Sequence, residues 1–340
     1  MTQIYRIQCP IPFPLNSVNC YFINDSRPTL IDAGMHADGN FESMSQDIKK
    51  AGGNIVDLKR IIITHGHTDH AGLAEKIARI SGAEVFIHAG EYPKFIGADK
   101  ENTKNYFDDY EAFLVSCAVS SIQANMMKER FSLFVENAIF PLSTPTLLFG
   151  GEVFAFDDFE LRVVNTPGHT AGSISLYNEN DGILFSGDIL LEHITPNPIT
   201  EVGLVKKAAE VGNSAVNGFN SLKSFYKTMD VISEMNIDRV YPGHGAWFSE
   251  SRKRTEVVKA HMKRWRDNVV HLIKRNGNGA DGKNGMTLVT LARKMFPSLK
   301  ETELFLALSE AYAYMNLLVS EDRLTVKIVD GRISFWLNNG

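Results

Sequence analysis

Cysteine is scarce: the 340 residues hold three, Cys9, Cys20 and Cys117, and none stands in a C-x-x-C pair. That scatter excludes a disulfide framework and a thiolate metal site, and leaves all three as small core residues. No apolar run approaches the roughly 20 residues that a membrane-spanning helix needs, so no such anchor is expected. The opening Met1-Thr2-Gln3-Ile4-Tyr5-Arg6-Ile7 alternates like a strand and lacks the basic start and apolar stretch of a secretory leader, which makes a cytoplasmic location the default expectation. The net charge is only −5, and the chain shows no internal repeat, low-complexity tract or aromatic-rich RNA-binding signature. What remains is an ordinary globular composition, long enough for one large domain and a smaller one.

Apolar patterning divides the chain into alternating elements. Strand-like runs at 18–23 and 29–31 flank an Asn-Asp-Ser-Arg-Pro turn, a helix follows at 41–51, and the run at 60–63 reads as a buried strand. A helix over 70–80 and a strand over 84–88 complete a β-α-β unit. An insertion over 91–140 then interrupts the strands, with Phe107, Tyr110, Leu114, Ala118, Ile122 and Met126 forming one helical stripe. Strands return at 152–156, 160–165, 173–177 and 183–186, followed by a long loop over 193–220, a helix at 221–235 and a strand at 238–241. After Trp247 the composition shifts to a basic helix at 252–275, a Gly- and Asn-rich linker at 276–285, two shorter helices and a hairpin around Asp330-Gly331. The expected division is therefore 1–250 for a larger α/β domain and 251–340 for a small winged-helix-like α+β module.

The densest chemical signal is Thr64-His65-Gly66-His67-Thr68-Asp69-His70-Ala71-Gly72, between a strand and a helix. His65 and His67, two apart at a strand end, converge on the same side and suit one ion. Asp69 and His70 lie at the turn into the helix and suit a second ion beside it. Imidazole and carboxylate ligands without thiolate fit Zn²⁺, and they also fit Fe or Mn. Three later segments repeat the placement, each with a ligand-type residue just past a strand: Thr166-Pro167-Gly168-His169-Thr170, Ser186-Gly187-Asp188 and Tyr241-Pro242-Gly243-His244-Gly245.

The set His65, His67, Asp69, His70, His169, Asp188 and His244, with the strand end Thr29-Leu30-Ile31-Asp32-Ala33-Gly34, resembles the ligand pattern of the metallo-β-lactamase superfamily over roughly residues 15–250. The resemblance implies an αββα sandwich, an α/β fold. It implies that His65, His67 and His169 bind a first metal, that Asp69, His70 and His244 bind a second, and that Asp188 bridges them. It gives Asp32 an outer role, orienting a ligand. Two metals, zinc by preference, would then turn a shared water into hydroxide near neutral pH, with Asp69 passing a proton to the leaving group.

The superfamily serves many chemistries, so substrate is a separate question. The H-x-H-x-D-H run is similar to the glyoxalase-II-like branch, but Gly243-His244-Gly245-Ala246-Trp247 departs from the Glu-Tyr that hydroxyacylglutathione hydrolases carry after the histidine. Hydrolysis of a small-molecule ester, thioester or lactone is the first expectation. An endoribonuclease acting on single-stranded RNA is the second, since the tail resembles those members. A mono-iron persulfide dioxygenase is the third. His193, five residues after Asp188, is a candidate to face substrate or a ligand. His36 and His88 have no partner pattern and read as ordinary surface or core histidines. The basic helix reads as a solvated face before an anion-binding one, so nucleic acid ranks below a small molecule as partner. The insertion fits a lid or substrate groove and, equally, a packing helix or a homodimer contact.

Overall fold

A strand that is apolar at every position is buried on both faces. Arg60–Ile63 is such a strand after its first residue: Ile61 and Ile63 enter one core cluster and Ile62 the other. The computed structural model describes residues 2–92, 100–138, 145–199, 219–276, 285–329 and 331–338. By packing they fall into two units, one of Met1–Thr103, Leu133–Pro196 and Asp230–Thr255, the other of Lys104–Ser132, Asn197–Met229 and Glu256–Gly340.

In the first unit, β1 (Gln3–Pro10), β2 (Ser17–Asn24), β3 (Thr29–Ile31), β4 (Arg60–Ile63), β5 (Glu84–His88) and β6 (Thr146–Leu148) form one sheet in chain order. The pairs from β1 to β3 are antiparallel and those from β3 to β6 parallel. A second sheet is built from β7 (Val153–Ala155), β8 (Glu160–Asn165), β9 (Ile174–Asn178), β10 (Ile183–Gly187) and β11 (Arg239–Pro242), in the order β11-β10-β9-β8-β7. Tyr21, Ile23, Ile31 and Ile62 of the first sheet pack with Leu161, Val163, Ile174, Leu176 and Phe185 of the second, so the two lie face to face. The other face of the first sheet, through Cys20, Phe22, Leu30, Ile61, Ile63 and Val85, is covered by Met44 and Ile48 of the helix Asn40–Lys50 and by Ala74 and Ile77 of the helix Ala74–Ser81.

This arrangement positions the chemistry. Asp32 follows β3, His65 follows β4, His169 follows β8, Asp188 follows β10 and His244 follows β11. Most expected elements appear with small shifts in their ends, but the single helix expected over 70–80 is two, Thr68–Ala71 and Ala74–Ser81. β6 and the two-residue β12 (Met286–Thr287) have no expected counterpart, being too short to show a period.

The expected single stripe through the insertion is corrected. Two helices, Lys100–Ser116 and Ser121–Ala138, stand there, and Ala118 between them takes a left-handed φ of 74°, which ends the first. The spacing continues across the break but the faces do not. Leu114 is buried, whereas Ile122 is 79% and Met126 52% exposed.

In the second unit Tyr110 stacks on Phe131, and both meet Phe305. The helix Leu288–Met295 and the helix Leu304–Ser320 lie in sequence between β12 and the hairpin of β13 (Leu324–Val329) and β14 (Arg332–Leu337). Their sheet runs β12-β14-β13. Residues 277–284 of the expected linker and 200–218 of the expected loop lie outside the described residues. No helix among the described residues is long and apolar enough to cross a membrane.

Candidate metal centre

The segment after β4 is held from both sides. Ile174 of β9 donates its N–H to the Thr64 carbonyl at 2.9 Å, and the Thr64 N–H donates to Asp32 Oδ1 at 2.8 Å. Beyond this anchor His67 stands at the N-terminal end of a short helix, Thr68–Ala71, which carries Asp69 and His70 and leaves the His70 ring 4.1 Å from that of His65. Asp32 itself has φ 57°, a left-handed conformation that Asp tolerates better than most residues and that is worth its strain only where something fixes it. Its carboxylate supplies the reason: besides the Thr64 N–H, Oδ2 takes the Thr64 hydroxyl at 2.9 Å and His70 Nδ1 at 2.8 Å.

Three groups of ligand-type atoms result, each with its atoms within 4.8 Å of one another: His65, His67 and His169; His65, His70 and Asp188; Asp69, His70 and His244. In the first, His67 Nδ1 lies 2.9 Å from His65 Nε2 and 3.1 Å from His169 Nε2. In the third, His244 Nε2 lies 3.4 Å from Asp69 Oδ2. Asp188 reaches His70 Nε2 with Oδ1 at 3.4 Å, and with Oδ2 it reaches His244 Nε2 at 3.3 Å and His169 Nε2 at 3.8 Å. His244 is aimed by its other nitrogen, which donates to the Ser17 carbonyl at 2.7 Å. Gly243 is required by closeness, since a Cβ there would sit 2.2 Å from Asp188 Oδ1.

The electrostatics sort these groups. Burial, reinforced by His70 and His67 alongside, drives the His65 pKa well below the imidazole range, so His65 stands neutral with a lone pair to give. Burial pushes His244 the same way, but Asp188 and Asp69 overcome it and raise it to about 10. His70 is likewise raised, against its burial, by Asp188, Asp32 and Asp69. Burial disfavours the charged form of Asp188, yet His244 and His70 hold its pKa well below the usual carboxylate range. His70 Nε2 and Asp188 Oδ1 are buried and face each other at 3.4 Å, too loosely for a well-formed hydrogen bond, and neither finds another among the described residues. Buried polar atoms without partners are costly. A cation beside them satisfies both, so the residues fit a divalent metal.

All seven expected ligands are thus brought together, and Asp32 touches one of them. His193 is not: its side chain is 83% exposed and pairs with Glu192 at 3.1 Å. The three cysteines are buried and belong to none of the donor groups among the described residues. Sequence reasoning missed Ser17, Asn19 and Glu91. Asn19 donates to the Pro242 and Gly245 carbonyls, bracing the turn that carries His244. Backbone-directed contacts of this kind leave no spacing signature.

Asp32→Asn tests the aiming of His70. The carboxylate keeps the His70 proton on Nδ1 and turns Nε2 toward the site, whereas an amide nitrogen there reverses the tautomer. The expected result is a loss of metal affinity of about 10- to 100-fold, the usual range for such partners, read by competition with a chromophoric chelator. Wild-type affinity in the variant would remove Asp32 from the centre.

Comparison with known proteins adds kinship. The family described as the metallo-beta-lactamase superfamily matches residues 14–244. The chain is 24% identical over 350 residues to the probable metallo-hydrolase YqjP of Bacillus subtilis, covering 99% of this chain and 96% of that protein. Two relatives carry named activities. Acyl-coenzyme A thioesterase MBLAC2 of Gallus gallus is 24% identical over 246 residues, 70% of this chain and 76% of its own. Hydroxyacylglutathione hydrolase GloC of Haemophilus influenzae is 24% identical over 184 residues, 54% of this chain and 71% of its own. Among solved structures, a metallo-beta-lactamase family protein from Thermus thermophilus superposes with a TM-score of 0.78 at 22% identity, covering 98% of each chain.

Proposed function

Because the chain belongs to the metallo-β-lactamase superfamily, we propose that it hydrolyses a small-molecule thioester with two zinc ions. His65, His67 and His169 would hold one ion, and Asp69, His70 and His244 the other, with Asp188 shared. The observation that carries this reading is Asp188, a single buried carboxylate within 3.8 Å of histidines from both triads. The nitrogen and oxygen donor set suits zinc, as it also suits iron or manganese, and metal content decides among them.

When bound, such ions lower the pKa of a shared water toward about 7 and polarise the substrate carbonyl. The chain's own groups set what can leave. Asp69 is buried, which opposes its charge, but His70 and His244 keep its pKa below the ordinary value. Held ionised in this way, Asp69 takes up a proton reluctantly and is seldom protonated to serve as an acid. A thiolate, whose thiol has a pKa of about 8.5, departs without much acid help, and an alkoxide or amine does not. The named thioester hydrolases among the relatives point the same way. The order of elements from residue 251 on, a helix, β12, two helices, then β13 and β14, supports a winged-helix-like reading of that part.

The experiment is elemental analysis of the purified protein together with turnover of acyl-coenzyme A, S-acylglutathione, lactones, a phosphodiester and single-stranded RNA, with and without chelator. Two zinc ions per chain and chelator-sensitive thioester cleavage are expected. RNA cleavage with a salt slope near −0.7 per neutralised phosphate, roughly the single-strand value, would replace this reading with a nuclease. A single iron with oxygen uptake and no hydrolysis would replace it with a dioxygenase.

A further inference from the structure

The first donor triad draws on two loops from different sheets, the one after β4 with His65 and His67 and the one after β8 with His169. Sheet packing fixes where the strands end. It does not fix the loops beyond, and three imidazoles must meet within a fraction of an ångström to share an ion.

Glu91 lies where the two loops meet. It follows β5, its own N–H closing a turn on the His88 carbonyl at 2.8 Å, and its side chain is fully buried. Oε2 accepts the N–H of Gly66, the residue between His65 and His67, at 2.7 Å. Oε1 accepts the N–H of Gly172, three residues after His169, at 2.8 Å. A second observation is steric. A Cβ on Gly172 would fall 2.8 Å from both the Glu91 N and His88 Nδ1, and one on Gly90 would fall 3.2 Å from the Gly172 Cα. The turn and the second loop are seated so closely that only glycine fits between them.

We propose that Glu91 is a positioning residue that clamps these two loops and so sets the separation of His65 and His67 from His169; this rests on the reading of the site as a metal centre. Glu91 is not in any of the donor groups, and each of its oxygens takes a backbone N–H. Only the carboxylate form suits this role. A glutamine accepts one of the two N–H groups and turns its own NH₂ against the other, and an aspartate is one carbon too short to span both. The second triad has different supports, Asp32 behind His70 and the Ser17 carbonyl behind His244. The clamp therefore acts on one ion and not on the other.

The test is stepwise zinc binding to metal-stripped full-length protein, by chelator competition, for wild type, Glu91→Gln and Gly172→Ala. Both variants are expected to weaken one ion by about 10- to 100-fold and to leave the other within about twofold, the size of effect that outer partners of metal ligands usually have. Wild-type affinity for both ions, or equal weakening of both, overturns the proposal, because a merely structural role does not choose between sites. Should neither variant fold, hydrogen exchange of ¹⁵N-glycine-labelled wild type decides. Slow exchange of the Gly66 and Gly172 amides, stripped and zinc-loaded, supports the clamp, and exchange within the dead time overturns it. Wild type that binds no divalent ion defeats the hydrolase reading instead, and the exchange measurement still reports on the clamp.

Discussion

Asp188→Asn is expected to lower kcat/KM by about 10³-fold and the metal content from two ions per chain to one or fewer. The substitution keeps the volume and removes the charge. A bound metal supplies several kcal/mol of transition-state stabilisation, and at about 1.36 kcal/mol per tenfold the loss of about 4 kcal/mol gives that factor. Asp188 has the position for so large an effect. It is buried at the end of β10, where the pairing with β11 shifts register between Phe185 and Gly187, and it reaches histidines of both triads. An amide there donates where the neighbouring imidazoles need an acceptor, leaving His70 and His244 without their counter-charge. Thermal denaturation run in parallel separates this from unfolding. A folded variant that keeps two ions and activity within about tenfold, less than the typical loss from an outer partner, would falsify the shared-carboxylate assignment.

The parts of this molecule that chemistry repeats along the chain are legible in the sequence. His65, His67, His169, Asp188 and His244 follow strands in Gly-bearing segments, Asp69 and His70 come directly after the first of these, and a run such as Ile61-Ile62-Ile63 has to be buried on both faces. What stayed illegible depends on contacts distant in sequence. Glu91 carries no motif, because nothing local records that the N–H groups of Gly66 and Gly172 point at it from 25 and 81 residues away. His193 looked promising by adjacency to Asp188, yet it turns out to solvent beside Glu192. The insertion stripe misled for a related reason: period alone cannot see the left-handed Ala118 that divides it into two helices. Adjacency and period report on local geometry, and the centre is assembled from separate strand ends and turns.

Zinc affinity is expected to rise with pH by about tenfold per pH unit for each proton that the ion displaces, with as many as two protons released near neutrality. The sign follows from His70 and His244. Burial disfavours their charge, but Asp188, Asp32 and Asp69 around them win, and both pKa values stand above the free imidazole value, His244 at about 10. A raised value means that each imidazole carries a proton at neutral pH before metal arrives, and the nitrogen facing the site must lose it to bind. His65, held neutral, contributes no such proton. The same shifts give the metal-stripped protein the opposite trend. The stabilisation from protonated His244 is complete below about pH 6.5 and is lost as the pH climbs through about 10. That from ionised Asp188 is present above its ordinary range and is lost in acid. Stripped protein should therefore lose stability between about pH 6.5 and 10, while loaded protein gains it over the lower part of that span as zinc tightens. Calorimetric zinc titrations in two buffers of different ionisation enthalpy, at three pH values, count the protons directly. Identical heats in both buffers would mean that no proton leaves, and that the carboxylates around His70 and His244 do not hold them charged.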